Sequence, residues 1–144
     1  MNLQKGLREF IELLSDLEVH FGIVGAFAVA YHAYFRYTSD IDLFVDKAAE
    51  NTKRILEAIK QFGFSDLNLT VEDFAEDQVV QLGVAPNRID LLTFLSGVSF
   101  DEAWASREQS ELDGLTVSFI SREMLKRNKK ACGRLQDLAD LEYL

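Results

Sequence analysis

Tyr37-Thr38-Ser39-Asp40-Ile41-Asp42-Leu43-Phe44-Val45 reads as a buried strand with two acids on one face. Strand side chains alternate, so Asp40 and Asp42 point one way while Ile41, Leu43 and Val45 fill the opposite, apolar face. Two carboxylates on a buried strand need a cation, and their oxygens suit a hard divalent metal. Spacing alone decides little, because 12 Asp in 144 residues give about one Asp-x-Asp by chance.

The flanking sequence discriminates. Upstream, Phe21-Gly22-Ile23-Val24-Gly25-Ala26 is a short apolar strand that ends in a small-residue turn and runs into a helix. Downstream, Asn87-Arg88-Ile89-Asp90-Leu91-Leu92 is a strand with a single acid in an apolar run. If Asp40, Asp42 and Asp90 converge, they form an oxygen-rich site for one or two Mg²⁺ ions that also bind substrate phosphates. Taken alone, Asp90 reads equally as a strand-end acid facing solvent or pairing near Arg88.

Working outward, Leu3, Leu7, Phe10, Ile11, Leu14 and Leu17 recur at helical spacing and predict an amphipathic helix from Leu3 to Leu17. A strand Phe21 to Val24 follows, then a helix from about Ala26 to Tyr34 and the strand with the two acids. Lys47 to Phe62 is a second amphipathic helix stopped by Gly63. A short helical turn falls between Val71 and Glu76. Gln78 to Val84 and Arg88 to Phe94 read as strands joined at Ala85-Pro86-Asn87, residues suited to a hairpin turn. After a short segment near Phe100 to Arg107, Leu115 to Ile120 is a further strand. Ser121 caps a helix that turns Met124 and Leu125 inward, and Gly133 separates it from a last helix, Leu135 to Leu144. This order predicts one α/β or α+β domain over residues 1–144, a mixed sheet with helices packed on it. Strand order does not follow from periodicity.

Three blocks carry a family resemblance. They are Val24-Gly25-Ala26-Phe27-Ala28-Val29-Ala30-Tyr31-His32, Arg36-Tyr37-Thr38-Ser39-Asp40-Ile41-Asp42-Leu43, and the tail from Asn128 through Gly133-Arg134-Leu135-Gln136-Asp137 to Leu141. With Asp90 as a third acid on a later strand, the chain resembles the nucleotidyltransferase fold superfamily. Within it, the chain looks most like the small bacterial abortive-infection-toxin and orphan nucleotidyltransferases. The resemblance implies an enzyme that transfers a nucleoside monophosphate from an NTP to a hydroxyl acceptor on RNA, protein or a small molecule. It implies Mg²⁺ or Mn²⁺ held by Asp40, Asp42 and Asp90, with Asp90 as base or as ligand to a second ion. Ala26 stands where the family usually has a second Gly or a Ser; it keeps the N–H, lacks a hydroxyl and adds a methyl. The other class of function open to the chain is a non-catalytic nucleotide-binding protein or a toxin–antitoxin partner.

Phosphate contacts are expected from Gly25 and Ala26, whose N–H groups open a helix, although many ordinary strand-to-helix turns contain Gly for backbone reasons alone. Arg36 either grips a phosphate or neutralises Asp40 and Asp42 when no metal is present. Ser39 and Thr38 donate to phosphate or cap the strand edge. In the tail, Lys129 or Lys130 with Asp137 matches the Lys and following Asp of the toxin-type relatives. The same residues fit an ion-pair latch tying the tail to the body. His32 and the aromatics Tyr31, Tyr34, Phe35 and Tyr37 read as packing residues.

Composition narrows the field. A formal charge of −9 opposes a stand-alone nucleic-acid binder, yet Lys126, Arg127, Lys129, Lys130 and Arg134 concentrate in one stretch. A lone Cys132 rules out an internal disulfide framework and fits a reducing compartment. The most apolar stretch, Phe21 to Phe35, is too short to span a bilayer, and the expectation is a cytoplasmic protein.

Overall fold

Side-chain alternation sorts the apolar residues onto the two faces of one mixed sheet. The computed structural model describes residues 5–35, 40–64, 68–83 and 88–144. Its elements run α1 (Lys5–Asp16), β1 (Phe21–Val24), α2 (Gly25–His32), β2 (Asp40–Val45), α3 (Ala49–Phe62), a 3-10 turn (Val71–Phe74), β3 (Val79–Leu82), β4 (Arg88–Leu92), α4 (Phe100–Ala105), β5 (Glu108–Leu112), β6 (Leu115–Phe119), α5 (Arg122–Cys132) and α6 (Leu135–Leu141). The strand order is β3-β4-β2-β1-β6-β5. β2 is parallel to β4 and β1 to β6, while the other neighbours are antiparallel. The class is mixed α/β, with helices on both faces of the sheet.

The larger core joins Ile23, Ile41, Leu43, Val45, Ile89 and Leu91 to Leu7, Phe10, Ile11 and Leu14 of α1 and to Ile55, Ala58 and Ile59 of α3. Val24 and Phe44 belong to a second core with Ala28 and Val29 of α2, Ala103 of α4, and Met124 and Leu125 of α5. Asp40 and Asp42 alternate with Ile41 and Leu43, so they share the second face with Phe44. The expected assignment of faces holds, and it puts both acids on the side of α2 and α5.

Several elements differ from the sequence expectation. β5 was not expected, because Glu108-Gln109-Ser110-Glu111-Leu112 is a polar edge strand that buries only Leu112. Its hairpin to β6 turns through Asp113 and Gly114, both at positive φ (51° and 82°), a pairing that Asp-Gly favours in two-residue turns. The segment near Phe100 is a helix capped by Ser99, which accepts from the Glu102 N–H. Ser121 caps α5 by accepting from the Met124 N–H, and Met124 and Leu125 are buried as expected. The expected hairpin turn at Ala85-Pro86-Asn87 lies outside the described residues. Among the described residues no helix is long and apolar enough to cross a membrane.

Candidate functional site

Two neighbouring strands set Asp42 against Asp90, and a third places the Gly25 turn beside Asp42. In the register of the sheet, Asp42 of β2 is paired with Asp90 of parallel β4 on one side and with Val24 of antiparallel β1 on the other. The chain then turns at Gly25, directly beside Asp42. Gly25 adopts φ +65°, and a Cβ there would lie 2.3 Å from Asp42 Oδ2. Only glycine leaves room for that carboxylate and takes this backbone conformation without strain. Gly25 and Ala26 open α2, and the side chain at its cap, Val24, accepts no hydrogen bond from them.

Asp90 is 7% exposed and Asp42 is partly buried. Burial, then the charge of Asp90, a hydrogen bond with Asp90 and the charge of Asp40 push the Asp42 carboxyl up to about 6, against a smaller pull downward from Arg88. Two carboxyls in hydrogen-bonding contact need a proton between them or a cation beside them. Here the cation is Arg88. Its register partner is Asp40, to whose Oδ2 its Nη2 lies at 2.9 Å. The same guanidinium forks onto Asp90, donating Nε to Oδ1 and Nη2 to Oδ2, each at 3.1 Å. Hydrogen bonding to Asp90 and its charge raise Arg88 above the usual guanidinium range. Among the described residues no three His, Cys, Asp or Glu side chains gather into a group that would hold an ion.

The other expected residues fall in different places. Arg36 and Ser39, with Thr38, lie outside the described residues. Lys129 is buried, with its ammonium 3.2 Å from Asp137 and 3.1 Å from Asp140. This is the latch arrangement, which joins α5 to α6. Tyr34 donates to Asp140 at 2.6 Å and Arg134 Nε to Asp137 at 2.6 Å. Burial pushes both carboxyls up, but the hydrogen bonds they accept from Arg134, Lys129, Tyr34 and Gln136 outweigh it and hold them below their usual value. Lys130 is exposed on α5, beside Arg122, Lys126 and Arg127. Arg127 is engaged elsewhere, 2.7 Å from Glu102. Arg134 is held above its usual value chiefly by Asp137, with a smaller contribution from Asp42, so the junction of α5 and α6 is within electrostatic reach of the strand acids. His32 contacts the Ile120 carbonyl at 2.7 Å, and Tyr31 stacks on Phe119.

Arg88 is the residue that the sequence reading passed over. Its position two residues before Asp90 puts both on one strand face, a signal present in the sequence. Its contact with Asp40 depends on β2 and β4 being neighbours, which is not.

A cavity of about 590 Å³ lies at the other end of these strands, lined by Phe44, Lys47, Asp77, Thr93, Phe94 and Phe100 among others. Asp40, Asp42 and Asp90 do not line it. Its size alone does not make it the site, because the coupled acids and the glycine turn are elsewhere.

Compared with models of known protein families and with curated proteins, the chain matches none.

Proposed function

We propose that the chain is a minimal nucleotidyltransferase-fold enzyme that transfers a nucleoside monophosphate from an NTP to a hydroxyl acceptor in the presence of Mg²⁺ or Mn²⁺. The observation that carries this reading is the pairing of Asp42 with Asp90 across β2 and β4, with Gly25 making room for the Asp42 carboxylate at the start of α2.

The donors are of the kind a hard divalent ion takes, although among the described residues they are not gathered into a coordinating group. Asp40, Asp42 and Asp90 offer only oxygens, and burial, followed by the charges of Asp90 and Asp40, raises the Asp42 carboxyl, a cost that a nearby dication relieves. When bound, the ion would draw charge from the triphosphate and the departing pyrophosphate. The N–H groups of Gly25 and Ala26 receive phosphate oxygens at the α2 N-terminus. Arg36, Ser39 and Lys130 are the proposed side-chain contacts to phosphate, while Lys129 is engaged by Asp137 and Asp140. Asp90 takes the proton of the acceptor hydroxyl as its oxygen bonds to the α-phosphorus and pyrophosphate leaves.

The Arg88 fork favours a second reading, a non-catalytic nucleotide-binding protein or toxin–antitoxin partner in which the guanidinium neutralises the acids permanently. Incubation with each α-³²P-labelled NTP, Mg²⁺ and RNA, protein or small-molecule acceptors separates the two. Covalent label that disappears in Asp42→Asn supports the transferase. Binding of NTP without transfer to any acceptor supports the second reading.

A further inference from the structure

Arg88 occupies the coordination space that a metal would need. Its fork takes one oxygen lone pair from each oxygen of Asp90, and its Nη2 also takes Asp40. Asp42 interacts with this cluster through Asp90 and through charge. Three neighbouring carboxylates outnumber the single charge that Arg88 brings to them, and a divalent ion in its place brings twice that charge. The Arg88 side chain is 35% exposed, so the cluster is open to solvent on its side. A long, part-exposed side chain can turn its head outward without disturbing the β4 backbone, whose pairing with β2 does not involve it.

We propose that Arg88 is a displaceable counter-cation: it holds Asp40 and Asp90 while no metal is bound, is driven off by the incoming divalent ion, and then pairs with the triphosphate that arrives with that ion. The inference rests on the metal-dependent reading of the site. The exchange is electrostatically balanced. A dication replaces a monocation among the carboxylates, and the freed guanidinium meets a phosphate, for which its planar fork is suited. The device offsets part of the charge of Asp40 and Asp90 in the apo protein and makes metal and nucleotide binding cooperative, because each relieves a cost imposed by the other's absence.

The test is Mn²⁺ binding by the full chain, followed by water-proton relaxation without nucleotide, in wild type, Arg88→Gln and Arg88→Lys. Loss of a positive charge within contact distance of the ligands should tighten Mn²⁺ roughly tenfold in Arg88→Gln. Arg88→Lys, which keeps the charge and loses the fork, should fall between the two and decides the matter if Arg88→Gln does not fold. Added inorganic tripolyphosphate should tighten Mn²⁺ more in wild type than in Arg88→Gln. Equal or weaker Mn²⁺ binding in the variants overturns the proposal, as does an equal tripolyphosphate effect or a lack of Mn²⁺ binding by all three proteins. If Mn²⁺ behaves as expected but no labelled nucleotide is transferred, the transferase reading falls and the role of Arg88 stands.

Discussion

Asp42 and Asp90 stand opposite one another on neighbouring parallel strands, and their carboxyls are in hydrogen-bonding contact. Evolution of a buried core does not call for this pairing, since burial and then the charge of Asp90 raise the cost of ionising Asp42. The cost is focused on one end of the sheet, beside a turn that accepts only glycine.

Gly25→Ala tests the turn. Its methyl would stand 2.3 Å from Asp42 Oδ2 on a backbone at φ +65°. The substitution should lower stability by roughly 1–3 kcal/mol and displace the Asp42 carboxylate. Denaturant unfolding reads the first effect, and loss of Mg²⁺-dependent NTP binding in the folded variant reads the second. A stable Gly25→Ala protein with unchanged binding contradicts the close packing of this turn.

Asp42 gives the metal-free protein an unusual pH dependence. Its folded-state value near 6 lies above the unfolded 3.8, so the folded chain holds more protons between those pH values. Asp42 therefore contributes stability that is present below pH ~4 and is lost as pH rises through ~6. The loss is on the order of 3 kcal/mol by pH 7. Asp42→Asn should raise the Tm at pH 7.5 in EDTA and flatten the pH 4–6 part of the stability profile. A profile that Asp42→Asn leaves unchanged would show that the carboxyl titrates normally.

Asp90→Asn separates chemistry from binding. With Asp90 as the proton acceptor, the variant should retain much of the NTP affinity and lose transfer by ~10²-fold or more. Single-turnover rates with labelled NTP measure the difference, and unchanged turnover makes Asp90 a partner of Arg88 alone.

The latch predicts strong coupling. Lys129→Met leaves Asp137 and Asp140 buried with their ammonium partner removed, and should cost about 3–5 kcal/mol. Asp137→Asn should cost less in the Lys129→Met background than alone, giving a positive coupling in a double-mutant cycle by urea unfolding. Additive effects would argue that α5 and α6 are held by other contacts.

Much of this arrangement was legible before the structure. Ile41, Leu43 and Val45 have to face apolar helices, and that alone turns Asp40 and Asp42 to the other side. The stripes of α1 and α3 carry the same information at helical spacing. β5 was hidden because an edge strand with Glu108, Gln109 and Glu111 shows no apolar alternation, although the Asp113-Gly114 pair marks the hairpin. α6 defeats periodicity for a different reason. It buries Asp137 and Asp140 around Lys129 and leaves Leu135 and Leu138 exposed, an inversion fixed by a cation eight residues before Asp137 on another helix. The contact of Arg88 with Asp40 was out of reach because it requires the strand order, which local spacing does not encode.

The central claim, that the paired strand acids and the Gly25 turn form a metal and nucleotide site, is tested most directly by calorimetric titration of each NTP with and without Mg²⁺. Wild type should bind at least one NTP only when Mg²⁺ is present, and Asp42→Asn should lose that binding while remaining folded. NTP binding of equal affinity in wild type and Asp42→Asn, with or without Mg²⁺, would contradict it.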